Sequence, residues 1–144
     1  MTFDRSRSAG FLVNNLARLF ATALHRRIKP LGLAPAQFMT LLALWEEDGL
    51  TQSELVRRLD VEQATMANTL ARMERDGLVS RRPLPGDARA QSVHLTQRAR
   101  SLKQPATEAA RSVNEIALAG LAEQEREQLL RSLNRVIAAL HAAE

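Results

Sequence analysis

Apolar residues recur at three- and four-residue spacing from about Gly10 to Ile28, through Leu12, Leu16, Leu19, Phe20, Ala23, Leu24 and Ile28. That period predicts a first helix. Lys29-Pro30-Leu31-Gly32 ends it, because proline disfavours helical geometry in the residue before it and glycine permits a turn. Pro35 suits the first turn of a second helix, whose buried face is Phe38, Leu41, Leu42, Leu44 and Trp45. Asp48-Gly49 stops it. Thr51 and Glu54 then form a T-x-x-E capping box for a short third helix with Leu55, Val56 and Leu59 inward. After a break near Asp60-Val61, a fourth helix runs to about Asp76, with Gly77 as its stop. Two short helices so briefly linked suggest helix-turn-helix, a pattern that any small helical bundle can also produce.

The period then changes from helical to alternating. Leu78-Val79-Ser80-Arg81-Arg82 and Gln91-Ser92-Val93-His94-Leu95-Thr96 read as strands, and Pro83-Leu84-Pro85-Gly86-Asp87 between them is turn chemistry. A hairpin directly after a helix-turn-helix is a winged helix. Beyond Thr96 the helical period returns at Leu102, Ala106, Ala109, Val113 and Ile116, with Pro105 predicting a late start or a kink and Gly120 an end. Leu129, Leu133, Val136, Ile137 and Leu140 give a last helix one apolar stripe. The fold class is therefore mainly α with a small β-hairpin wing. We expect one domain over 1–144, with the winged helix-turn-helix at 33–98 and dimerisation helices at 1–30 and 100–144. The terminal helices carry apolar stripes with no sheet to cover them, and packing about a two-fold axis would bury them. Folding back onto their own winged helix is the alternative.

Charge adds a partner to this picture. The net is +4, and of 20 cations all but Lys29 and Lys103 are Arg. Residues 81–100 hold Arg81, Arg82, Arg89, Arg98 and Arg100 against the single acid Asp87. Concentrated in the middle of the chain, this points to an anionic partner, and Arg forks suit phosphates and bases. The absence of cysteine excludes disulfides, Cys-ligated zinc and a thiol switch. The N-terminus shows no export signal and no apolar run reaches the roughly 18 residues of a membrane span, so the expectation is a cytoplasmic protein without a membrane partner. His25, His94 and His141 lack the spacing of a metal pair, and no phosphate loop, nucleophile elbow or triad can be named. No cofactor, metal or enzymatic activity is expected.

The sequence resembles the MarR family of bacterial transcription regulators, and its SlyA-type branch most. The residues that carry the resemblance are Leu16-Ala17-Arg18-Leu19, Lys29-Pro30-Leu31, Leu50-Thr51-Gln52, the run Glu62 to Gly77, and Asp87-Ala88-Arg89-Ala90 followed by Leu95-Thr96. The resemblance implies a homodimer on pseudo-palindromic double-stranded DNA, acting as a repressor and released by a small phenolic or aromatic carboxylate effector. The alternative is a constitutive or architectural DNA-binding protein without ligand control. The chain departs from the family pattern at Asn68, where Arg is frequent, at Ala122, where Ser or Thr often caps the last helix, and at Ala99, near which many members have glycine.

At roughly 100° per residue, Met66, Leu70, Met73 and Gly77 share one sector of the fourth helix and must face the core. Ala64, Asn68, Ala71 and Arg75 lie opposite, with Thr65 and Arg72 beside them. Small Ala64 permits close approach to bases, and Asn68 can bond adenine bidentately. Gln63, Thr65 and Thr69 are placed for phosphates or base edges, and Arg72 and Arg75 for the backbone. Arg81 and Arg82 are phosphate contacts or solvated strand ends. The resemblance places Arg89 in the minor groove and makes Asp87 the residue that orients it, while Asp87 also suits a plain turn. It further places an effector site between the dimer helices and the winged helix. There Arg18 could meet a carboxylate beside an apolar wall of Phe38, Leu42 and Trp45. Core packing and a surface ion pair account for the same four residues.

Overall fold

A computed structural model of the chain describes residues 2–144, and of Ala88 the backbone only. α1 spans Ala9–Ile28. The Ser8 hydroxyl accepts the Phe11 N–H and so occupies one of the orphan donors at its start. A single 3-10 turn, Lys29–Leu31, closes on Gly32 in the left-handed region at φ 80°, which reverses the chain into α2, Pro35–Glu46. β1, Leu50–Thr51, leads directly into α3, Gln52–Leu59, and α4 spans Gln63–Arg75. The predicted capping box forms: Glu54 N–H donates to Thr51 Oγ1 at 3.2 Å and Thr51 N–H to Glu54 Oε1 at 3.0 Å. Asp60, left-handed at φ 54°, makes the break between α3 and α4.

The core is where these helices meet. Leu24 and Ile28 of α1, Phe38, Leu41 and Leu44 of α2, Leu55 of α3, and Met66, Leu70 and Met73 of α4 are buried together with Leu50, Leu78, Val79, Val93 and Leu95. Each such side chain withdrawn from water contributes roughly 1.5–3 kcal/mol, so this cluster holds α4 in place by one face and leaves the other free.

β2, Val79–Leu84, and β3, Asp87–Leu95, form the wing, and the sheet order is β1-β3-β2, antiparallel throughout. β1 pairs Leu50 with Val93 and Thr51 with Ser92, anchoring the wing to the start of α3. The strands run further than the alternation predicts. The five-residue turn expected at 83–87 shrinks to Pro85-Gly86 between paired Leu84 and Asp87. Pro83 pairs with Gln91 before the register shifts, since a proline at a ladder edge or bulge sacrifices no inter-strand donor.

After the wing come α5, Gln97–Ser101, α6, Lys103–Ala117, and α7, Glu123–Ala142. The single long helix expected after Thr96 is thus two, divided at Leu102. Pro105, the third residue of α6, sits where its missing N–H has no helical acceptor to lose. Gly120 lies in the turn that follows α6. Ala122 offers no side-chain cap to α7, but Glu125 reaches back to accept the Ala122 N–H at 2.8 Å.

The chain divides into two compact units, one ending at Ala110 and the other Arg111–Glu144. Each has exposed apolar residues on a helix. On α1 these are Leu12, Val13, Leu16 and Leu19, and on α7 they are Leu130, Val136, Ile137 and Leu140.

Candidate nucleic-acid interface

With Met66, Leu70 and Met73 turned into the core, α4 presents Gln63, Ala64, Thr65, Asn68, Ala71, Arg72 and Arg75 to solvent. This is the face the helical period predicts. One expected contact residue does not join it. Thr69 is buried, and its hydroxyl donates to the Thr65 carbonyl at 2.9 Å, because its position on the helix lies beside Met66 and Leu70 rather than opposite them. Thr69 is therefore corrected from a DNA contact to a residue of the packed side.

Both ends of α4 are tied down. At the start, Gln52 Nε2 donates to Gln63 Oε1 at 3.2 Å, linking the first residues of α3 and α4. At the end, Asp76 is a junction. Its carboxylate accepts from Gln37 Nε2 at 3.0 Å and from Arg75 Nε at 3.2 Å, and these bonds, Gln37's first, hold its carboxyl below the usual carboxylate range. The Thr51 N–H does the same for Glu54.

On the wing, Asp87 and Arg89 are exposed. Asp87 Oδ1 accepts the backbone N–H of Arg89 at 3.0 Å, so the support runs through the main chain and shapes the turn that carries Arg89. Arg82 is exposed, whereas Arg81 is half-buried with its Nε 3.7 Å from Glu74 Oε1. Gln63 of α4 and Arg81, Asp87 and Arg89 of the wing line one open cleft of about 360 Å³ with Thr51 and Ser53. The structure therefore brings the start of α4 and the wing tip to one surface.

The four residues expected at an effector site are not alike. Phe38 is in the core, meeting Trp45 edge-on with ring centroids 6.0 Å apart. Trp45 is half-buried and its Nε1–H donates to the Ala99 carbonyl at 3.1 Å, a bond that joins α2 to α5. Leu42 is half-buried and Arg18 exposed.

A cluster at the wing root escapes sequence reading. Ser92 Oγ lies 2.7 Å from His94 Nε2 and donates to the Arg82 carbonyl at 3.3 Å. Asp48 Oδ1 accepts the Leu95 N–H at 2.8 Å, and Asp48 Oδ2 lies 4.0 Å from His94 Nδ1 and 3.8 Å from Arg100. The alternation of β3 puts Ser92 and His94 on one face, a usable signal, but nothing local announces Asp48. Ser92 is buried and bonded to the opposite strand, so the trio staples the wing to the α2–β1 connection.

Comparison with known proteins agrees with this geometry. A sequence profile of the MarR family matches residues 31–90, from the turn before α2 to the wing. A probable transcriptional regulator from Pseudomonas aeruginosa is 30% identical, with a TM-score of 0.84 over 92% of this chain and 99% of that one. The chain belongs to the MarR family. The transcriptional regulator MosR of M. tuberculosis, solved in complex with DNA, is also 30% identical, with a TM-score of 0.84 over 96% of this chain and 99% of that one. The transcriptional repressor NicR of Pseudomonas putida is 28% identical over 94% of this chain and 85% of its own length. This MarR-family chain is a DNA-binding transcriptional regulator, and its family and fold are those of regulators rather than enzymes. No helix among the described residues is long and apolar enough to cross a membrane.

Proposed function

We propose that the protein is a homodimeric repressor that reads a pseudo-palindromic operator, with α4 in the major groove and the wing in the minor groove. One observation carries this reading: the exposed face of α4, with Asn68 at its centre, stands beside a wing whose Arg89 shares a cleft with Gln63. Asn68 reads a base, Gln63 and Thr65 bond base edges or phosphates, and small Ala64 admits the helix to the groove. Arg72, Arg75, Arg81 and Arg82 neutralise backbone phosphates, and Arg89 enters the minor groove with its turn shaped by Asp87. The exposed apolar residues of α1 and α7 support the dimer, because a second copy related by a two-fold axis covers such faces and matches a two-fold operator. The similarity to NicR, a transcriptional repressor, supports the sign of regulation.

Effector control forms the outer part of the proposal. A small aromatic or phenolic anion, met by Arg18 and by the half-buried Leu42 and Trp45, releases the DNA. The indole bond to Ala99 and the burial of Phe38 favour a second reading, constitutive binding, in which these aromatics only pack. Selection of bound sequences from a random duplex pool tests the first part, and recovery of no preferred motif refutes it. A thermal-shift screen of aromatic carboxylates, repeated with operator present, tests the second. Stabilisation of the free protein with loss of DNA affinity supports regulation, and it should weaken in Arg18→Ala for carboxylates more than for neutral analogues. Absence of both effects leaves the constitutive reading.

A further inference from the structure

α4 is held along one face by the buried Met66, Leu70 and Met73 and at its two ends by side-chain bonds, and the proposed DNA contacts lie on its other face. A 13-residue helix is about 20 Å long, so a tilt of only a few degrees about its Asp76 end displaces Gln63 by roughly 1–2 Å. Hydrogen bonds to base edges are lost over such a distance. What fixes the Asp76 end therefore adds, beside the core packing and the Gln52 bond to Gln63, to what Asn68 can read.

Three groups converge there. Arg98 Nη1, from α5, donates to the Asp76 carbonyl at 2.6 Å. Thr96 Oγ1, the N-cap of α5, donates to the Gly77 carbonyl at 2.7 Å. Gln37, buried in α2, holds the Asp76 carboxylate from the other side at 3.0 Å while its Oε1 accepts the Ala34 N–H at 3.1 Å, which fixes the direction of its amide. Carbonyls at the end of a helix have no partner within it, so these side chains decide where the helix end rests. Arg98 also spans further than the others. Its Nη2 lies 2.9 Å from the place a Cβ would occupy on Gly32, so the guanidinium closes over the α1–α2 turn as well as the end of α4. α5 itself is fastened to α2 by the Trp45–Ala99 bond.

We infer that Arg98 is a positioning residue for DNA reading: by tying the end of α4 to α5 beside the α1–α2 turn, it helps set the pitch at which α4 presents Asn68. One nitrogen of the planar fork reaches the Asp76 carbonyl while the other packs against Gly32, a shape that Lys does not reproduce. The inference rests on the proposal that α4 reads bases.

The test compares the full-length wild type with Arg98→Lys, which keeps the charge, and Arg98→Met, which keeps much of the stem. Each is titrated against a duplex selected from a random pool and against random duplex at one salt concentration. Thermal unfolding and amide exchange of Asp76, Gly77 and Leu78 are read in parallel. Both variants should lose about tenfold in affinity for the selected duplex, the size of one misplaced base contact. Arg98→Lys should stay within about twofold of wild type on random DNA, and exchange at the three amides should quicken while core amides of α2 hold. Unchanged preference in Arg98→Lys overturns the inference, as does an equal loss on both duplexes, which would make Arg98 a phosphate contact or a purely structural residue. If Arg98→Met unfolds, Arg98→Gln is titrated in its place, and retained preference there overturns the inference too. A wild type that itself shows no preference would instead refute base reading by α4.

Discussion

Replacing Asn68 with Ala separates recognition from folding. Asn68 stands on the solvent side of α4, opposite Met66, Leu70 and Met73, so its removal opens no cavity. Ala is the better helix former by up to about 0.7 kcal/mol, and the free protein should keep its stability or gain a few tenths. Loss of a base contact should cost about 1–3 kcal/mol on the preferred site. At tenfold per roughly 1.4 kcal/mol, that is an increase in Kd of about five- to 150-fold. Random duplex offers no matched base, so affinity there should hardly move. Arg72, exposed on the same helix, is the contrast: Arg72→Ala should weaken both duplexes alike and reduce the salt slope by about one. The assay is a fluorescence-anisotropy titration of both duplexes at several salt concentrations, with unfolding curves for each variant. Equal losses for Asn68→Ala on the two duplexes, or none on either, would show that Asn68 does not read a base.

Charge placed on the exposed apolar residues, as in Leu16→Asp on α1 or Leu140→Asp on α7, should dissociate the dimer and weaken operator binding; a well-folded wild-type monomer in sedimentation would defeat the dimer proposal. Asp76 and Glu54 have folded pKa values below their unfolded ones, so their stabilisation is complete above about pH 4.5 and is lost as pH falls through the folded values. Asp76→Asn should flatten part of the acid limb in urea unfolding measured from about pH 6 downward, and an unaltered limb would contradict the Gln37 and Arg75 contacts. Asp87→Ala removes a negative charge yet should weaken DNA binding, because Arg89 loses its preset turn; Asp87→Asn, which keeps the acceptor, should restore most of it. Tighter binding by Asp87→Ala would leave only Coulomb repulsion to explain Asp87.

Helix and strand periods exposed most of the architecture because each reports a surface divided between core and water. The buried Leu55, Met66, Leu70 and Met73 are the residues whose spacing marked α3 and α4. Where no such division exists, the reading weakened. β1 is two residues long, too short to alternate, and exists because Leu50 and Thr51 meet Val93 and Ser92 across the sheet. The break at Leu102 was masked because the apolar period continues across it. The hydroxyl of Thr69 suits phosphates or base edges, but its angular position, about 60° from Met66 and about 40° from Met73, favours the packed side.

The interface followed the same division more sharply. Its outward residues, from Gln63 to Arg75 and at Asp87 and Arg89, were legible because they occupy one face or one turn. The bonds that aim them were not. Gln37 reaches Asp76 across 39 positions, Trp45 reaches Ala99 across 54, and Arg98 reaches Asp76 across 22. No local pattern encodes such pairs, since each is created only when the helices have packed. Yet they do the work that a contact residue cannot do for itself. An Asn on a free helix can meet adenine in many poses, and ordering it on contact costs binding energy. Fixing the end of α4 before DNA arrives removes most of that cost, and the Asp87 bond to the Arg89 N–H does the same for the wing. On the proposed reading specificity in this chain is distributed: a few exposed side chains choose the base, and bonds between distant segments make the choice selective.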